Sequence, residues 1–207
     1  MGRSTTTLAP PDKAADYTAF PCHVHRAGLR LHRAHRKTHN PWFFSSGRGR
    51  FDLSTPGGTV NLASSAEVAT RESLGKVLVG ARRIPAASVA GKRVSALEVP
   101  RTRFADFVAG GAAAHGIVAG DVSAPMKTYD TTQQWAAAMA KAGFEGIRSR
   151  SRFGTGVAPL CYYRFGDAGQ HELGGITETK TMRDVLESMP GMQIDPTPAS
   201  TALIIDP

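Results

Sequence analysis

Strand and helix signals follow one another along this 207-residue chain without the regular strand–helix–strand alternation that a doubly wound parallel sheet requires. The clearest helix spans residues 130–142. Asp130 and Gln133 have the D-x-x-Q spacing of a capping box there, and Gly143 follows as a stop. A second helix is expected from Ser64 or Ser65, either of which can cap it, to residue 74 before Gly75. Short helices are expected at 102–108 and at 181–188, ahead of Pro190. Strands are expected at 28–37, 59–63, 77–79, 94–99, 146–151 and 160–165, with a last one at 202–205. Residues 43–52 and 110–123 read as glycine-rich loops. The pattern implies an α+β fold, a split β-sheet core flanked by helices. Residues 1–20, with Thr-Thr-Thr and Pro-Pro, read as a flexible leader, and 21–207 as one domain.

No stretch approaches 18 apolar residues, and the first 17 hold no apolar run of the signal-peptide kind, so a cytoplasmic protein without a membrane contact is expected. Two cysteines, Cys22 and Cys161, are too few for a disulfide framework. The net charge of +8 is concentrated. Between Asp16 and Asp52 there is no acidic residue, while Arg26, Arg30, Arg33, Arg36, Lys37, Arg48 and Arg50 all fall there, which leaves the remainder close to neutral. Such a segment should meet an anion. Arginine forks suit bidentate phosphate contact, and Gly47 and Gly49 would let a ligand approach the backbone beside Arg48 and Arg50. A pyrophosphate ligand, a nucleic acid and a plain solvated surface all remain open on these features.

Five of the seven histidines lie between His23 and His39, close to Cys22, but the spacing lacks the paired motifs of a structural zinc site, and no metal is expected. Glu72 shares a helix face with Val68 and Ala69. It could be a buried functional carboxylate or simply the i, i+4 partner of Lys76. Along residues 148–152, strand alternation would set Arg148, Arg150 and Arg152 on one face and Ser149 and Ser151 on the other. The serines could then face a ligand while the arginines face solvent.

Four segments in order resemble the RES domain family. They are LHRAHR with Arg33 followed by Asn40-Pro41; GRGRF at 47–51; VNLASSAEVATRE at 60–72; and TTQQWAAAMAKAGFEGIRSRSR at 131–152. The agreement extends over roughly residues 28–167. One departure is Asn61, where the family usually has tyrosine; asparagine can hydrogen-bond but cannot stack on a ring. The resemblance implies an ADP-ribosyltransferase-like fold that binds NAD in a cleft between two small sheets. It further implies a toxin that breaks the nicotinamide–ribose bond by hydrolysis or phosphorolysis, or that ADP-ribosylates a protein, and that an Xre-type antitoxin neutralises.

On that reading NAD is the substrate. Glu72, Arg33 and Ser151 are the candidate catalytic residues, and Arg33, Arg50, Asn61 and Ser151 contact the dinucleotide. A homodimer is compatible with it, and direct nucleic-acid binding is not expected. Two other functions stay open: a basic nucleic-acid-binding module, and a degenerate RES protein that holds a nucleotide without turnover.

Overall fold

In a computed structural model the described residues are 8–78, 83–124, 126, 128–156 and 158–196, the side chain of Lys76 excepted. The chain enters with β1 (Cys22–His25), β2 (Arg30–Arg36), a two-residue β3 (Phe43–Phe44) and β4 (Gly57–Ala63). Helix α1 (Ala66–Leu74) follows, then β5 (Arg83–Pro85), α2 (Ala86–Val89), β6 (Lys92–Glu98) and β7 (Thr102–Asp106). The second half holds α3 (Ala119–Ser123), α4 (Asp130–Lys141), β8 (Gly146–Arg150) and β9 (Leu160–Asp167). It ends with β10 (Gly169–Gln170), β11 (Ile176–Thr181), α5 (Met182–Glu187) and β12 (Gln193–Asp195).

Eight strands form one sheet in the order β1-β7-β8-β9-β4-β2-β6-β11. Its joints are unequal. β4 and β9 pair over seven positions, and so do β2 and β6, but β2 and β4 share only His32 opposite Ala63. The sheet therefore opens between β4 and β2 into two halves. This is the expected split, and it gives an α+β fold with a central sheet flanked by helices.

Strand alternation builds a core on each face. On β9, Cys161, Tyr163 and Phe165 point to the side covered by α1, α4 and α5, where Val68, Trp135, Met139 and Leu186 pack. Leu160 and Tyr162 point the other way, into a smaller cluster closed by Trp42 and Phe44. The Trp42 indole N–H reaches Gly174 O at 2.9 Å, which ties that cover to the far side of the sheet.

Helix α1 forms as expected. The Ser65 hydroxyl accepts from Val68 N at 3.2 Å, and Gly75 at φ 48° ends the helix. Other expectations fail for tertiary reasons. Residues 75–78 make a 3₁₀ turn continuing from α1, not a strand, and Val79 lies outside the described residues. The expected helix at 102–108 is β7, because Phe104 and Ala105 are fully buried between β1 and β8 and sheet pairing overrides local signals. The expected loop at 110–123 holds a 3₁₀ turn at Gly110–His115 and α3. Asp130 is the first residue of α4, not its cap. Tyr129 stands at the cap position without a side-chain bond, and the Gln133 amide donates to Gly49 O at 2.9 Å. The strand expected at 202–205 lies outside the described residues. From residue 8 onward the expected flexible leader is packed: Leu8, Tyr17 and Phe20 are buried, and the Trp135 indole donates to Ala9 O at 2.9 Å. Three isolated apolar anchors carry no periodicity, so the pattern could not reveal them.

Gly146, at the start of β8, is paired with both β7 and β9. A Cβ there would meet the Tyr163 carbonyl oxygen and approach Phe104 Cδ1 to 2.7 Å. Gly146→Ala should therefore destabilise by about 1–3 kcal/mol. At this chain length that lowers Tm by roughly 2–4 °C per kcal/mol. Gly110→Ala, where nothing lies within 4 Å, should stay within about 0.5 kcal/mol of the parent. Equal melting of the two variants would contradict this account of the strand spacing.

Candidate active site

The opening between β4 and β2 carries the site. Ser65 starts α1 directly after β4, so about two helical turns bring Glu72 over the split. Its Oε1 accepts three hydrogen bonds from the turn after β8: from the Ser151 hydroxyl, from Arg152 N at 2.9 Å and from Phe153 N at 3.3 Å. The Ser151 oxygen in turn accepts from Gly154 N at 2.7 Å. Among the described residues Glu72 Oε2 accepts no hydrogen bond. Glu72 is half-buried and held by these bonds; the Lys76 side chain of the alternative i, i+4 pair lies outside the described residues.

Two adjoining cavities meet at Glu72 and Asn61. One, of about 180 Å³, lies in the sheet opening and is lined by Arg33, Asn61, Glu72 and Ser73. The other, of about 330 Å³, extends past Arg50, Tyr129, Arg150, Arg152 and Tyr163. Asn61 is exposed on β4 directly opposite Tyr163 on β9, so both side chains stand on the same face.

Two neutral groups, Tyr163 and Cys161, lie near the carboxylate. Burial pushes the Tyr163 phenol well up, with the nearby Cys161 and Glu72 adding to the effect. Burial first, and Glu72 second, raise the Cys161 thiol as well. Both groups keep their protons at physiological pH. The Tyr163 ring is held edge-on by Phe51 at 4.7 Å.

The structure brings all five expected residues to this region but changes what two of them do. Arg33 Nη1 donates to Pro41 O at 2.6 Å and Phe43 O at 2.7 Å, pinning the segment after Asn40. Burial lowers its pKa to about 10, with Asp52 opposing the shift, so it stays charged. Arg50 lies over the Tyr129 ring at 5.2 Å and donates to Val122 O, with Ala124 O at 3.1 Å. Both arginines are held by protein carbonyls, which leaves each only part of its fork for a ligand.

The glycine-rich loop is also closed on itself. The buried Asp52 carboxylate accepts from Arg48 N at 3.2 Å and Gly49 N at 2.8 Å. Gly49 is required because a Cβ there would lie 2.6 Å from Asp52 Oδ1. These N–H groups serve Asp52, not a ligand.

The expected facing of residues 148–152 holds only in part. Arg148 is half-buried and paired to Asp106 at 2.7 Å, and Ser149 is buried. Strand β8 stops at Arg150, the chain turns, and Ser151 reaches Glu72 while Arg150 and Arg152 line the larger cavity. Neither of these two arginines forms an ion pair among the described residues. Sequence reasoning turned them to solvent and missed Tyr129, Phe153 and Tyr163. The alternation in CYYRF was the signal that set Tyr163 with Cys161. The histidines do not converge: among the described residues no three His, Cys, Asp or Glu side chains form a metal-binding group. No helix there is long and apolar enough to cross a membrane.

Comparison with solved structures finds a chain from the crystal structure of the M. tuberculosis MbcT-MbcA toxin–antitoxin complex. It shares the fold with a TM-score of 0.57 at 14% identity, covering 79% of this chain and 90% of that one. No curated protein sequence matches. The model of the RES domain matches residues 29–174, a span that contains both cavities, Glu72 and Ser151. The chain belongs to the RES domain family.

Proposed function

We propose that this protein consumes NAD by breaking the nicotinamide–ribose bond, as the toxin of a toxin–antitoxin pair. The observation that carries the reading is Glu72, a carboxylate clamped through one oxygen by the turn after β8, at the junction of two cavities rimmed with arginine; Asp52, which also lines the larger cavity, is engaged by the N–H groups of its own loop. Nicotinamide leaves as a neutral molecule from a pyridinium, so no general acid has to protonate it. The two-carboxylate arrangement of ordinary glycosidases is unnecessary here. One carboxylate stabilises the positive charge that develops on the ribose, and its effect is larger because it is held before the reaction begins. Whether water, phosphate or a protein side chain accepts the ribosyl carbon, the bond broken is the same.

The pyrophosphate requires cations. Arg150 and Arg152 are unpaired at the cleft, and Arg33 and Arg50 add positive potential from its walls. Ser151 fixes the carboxylate, and Asn61 offers an amide to the bound ligand. An antitoxin protein is the expected partner, by likeness to the MbcT-MbcA complex.

Asn61→Tyr should raise NAD turnover, since it adds a ring beside Tyr163 in an open part of the cleft. Unchanged or lower turnover would count against position 61 as a limiting contact. Glu72→Gln tests the reading itself. Glutamine keeps an Oε1 to accept from Ser151, Arg152 and Phe153, so the fold and NAD binding should survive. Loss of the charge should slow NAD consumption about a hundredfold or more, roughly 3 kcal/mol in the barrier. A Glu72→Gln protein that melts and binds like the parent and still consumes NAD at the parent rate would overturn the assignment.

A further inference from the structure

A separate cavity of about 330 Å³ opens where the turn after β2, the α2–β6 segment and the start of α5 meet. Ala86, Val89 and Ala90 form an apolar wall, while Lys37, Lys92, Arg93 and Arg183 contribute four cations, and no carboxylate lines it. The topology gathers this charge. Arg36 faces Lys92, and His35 faces Arg93, across the β2–β6 pair. Lys37 N donates to Gly91 O at 2.7 Å, which holds the two chain turns together.

The charge is uncompensated. Lys92 is half-buried, and its Nζ reaches only the neutral Ser73 carbonyl at 3.4 Å and hydroxyl at 3.3 Å. Burial, and then the like-charged Arg36, push its pKa down. Among the described residues Arg36, Lys37, Lys92 and Arg93 form no ion pair, and Arg183 has only a solvent-exposed contact of 3.5 Å with Glu187. Like charges set opposite one another on a sheet cost stability, and a cation withdrawn from water needs a counter-charge.

We propose that this cavity binds the phosphoryl group of a small molecule, as a second anion site distinct from the Glu72 cleft. Ammonium and guanidinium groups together suit a multiply charged phosphate, and a wall of Ala86, Val89 and Ala90 suits the organic part of a phosphate ester. The volume is that of a small-molecule site. The bonds from Lys92 to Ser73 connect an occupant to the last turn of α1, one residue from Glu72.

The test is calorimetric titration with pyrophosphate at constant ionic strength. Lys37→Gln/Arg93→Gln changes two exposed side chains, neither of which makes a hydrogen bond among the described residues, so the fold should persist and its Tm checks this. Affinity at one class of sites should fall about tenfold or more, since charge-assisted bonds are lost. Arg150→Gln/Arg152→Gln, in the cleft, should leave that class intact. Orthophosphate binding as tightly as pyrophosphate assigns the site to the free ion; tighter binding of a phosphomonoester assigns it to an ester. Unchanged affinity in Lys37→Gln/Arg93→Gln overturns the proposal. So does loss of pyrophosphate binding only in Arg150→Gln/Arg152→Gln, or a duplex oligonucleotide that binds these residues while pyrophosphate does not. The readout is binding, so its failure leaves the NAD reading untouched.

Discussion

The bonds from Glu72 Oε1 to the Ser151 hydroxyl and to the N–H groups of Arg152 and Phe153 join the two halves of this molecule. Helix α1 packs on β2 and β6, whereas Ser151 closes β8 in the other half of the sheet. Between the halves, the sheet itself offers only His32 opposite Ala63. A carboxylate that accepts three donors on one oxygen is fixed in rotamer and position, and its second oxygen accepts no hydrogen bond among the described residues. The opening of the sheet and the fixing of the carboxylate are one arrangement. Without the split there would be no cleft, and without the clamp the cleft would hold a mobile side chain.

Charge is divided by the same architecture. The basic segment of the sequence does not form one surface. Arg33 and Arg50 turn inward and bind carbonyls, where they hold the segment after Asn40 and the chain at 122–124. Arg36 and Lys37 lie at the far end of β2 with Lys92 and Arg93. The cleft draws its unpaired cations from Arg150 and Arg152 instead, a hundred or more positions away in the chain. Folding thus divides the run between two concave positive regions, each completed by cations distant in the chain.

What was legible in the sequence is what local chemistry dictates. Ser65 and Gly75 bound α1, the strand signals at 59–63 and 160–165 mark central strands, and four short segments in order carried the family likeness. The expectation that Glu72 and Ser151 share one site followed from that likeness and not from periodicity, and it set Ser151 on the ligand, whereas its hydroxyl donates to Glu72. What escaped depends on contacts distant in sequence. β7 is a strand because β1 and β8 flank it, although its own residues suggested a helical turn. Tyr163 enters the cleft because β4 and β9 place it opposite Asn61. Gly49 serves the Asp52 carboxylate, a role invisible until the loop is closed. Arg150 and Arg152 reach the site because β8 stops one residue before Ser151, and strand alternation cannot foresee where a strand stops.

The central claim is that a cleft with one clamped carboxylate breaks NAD. The most direct measurement is proton NMR of NAD incubated with the purified protein at a small fraction of the NAD concentration. The account predicts free nicotinamide appearing in step with NAD loss, in amounts well above that of the protein. NAD that stays intact over the same period, while binding to the protein is seen, would contradict it.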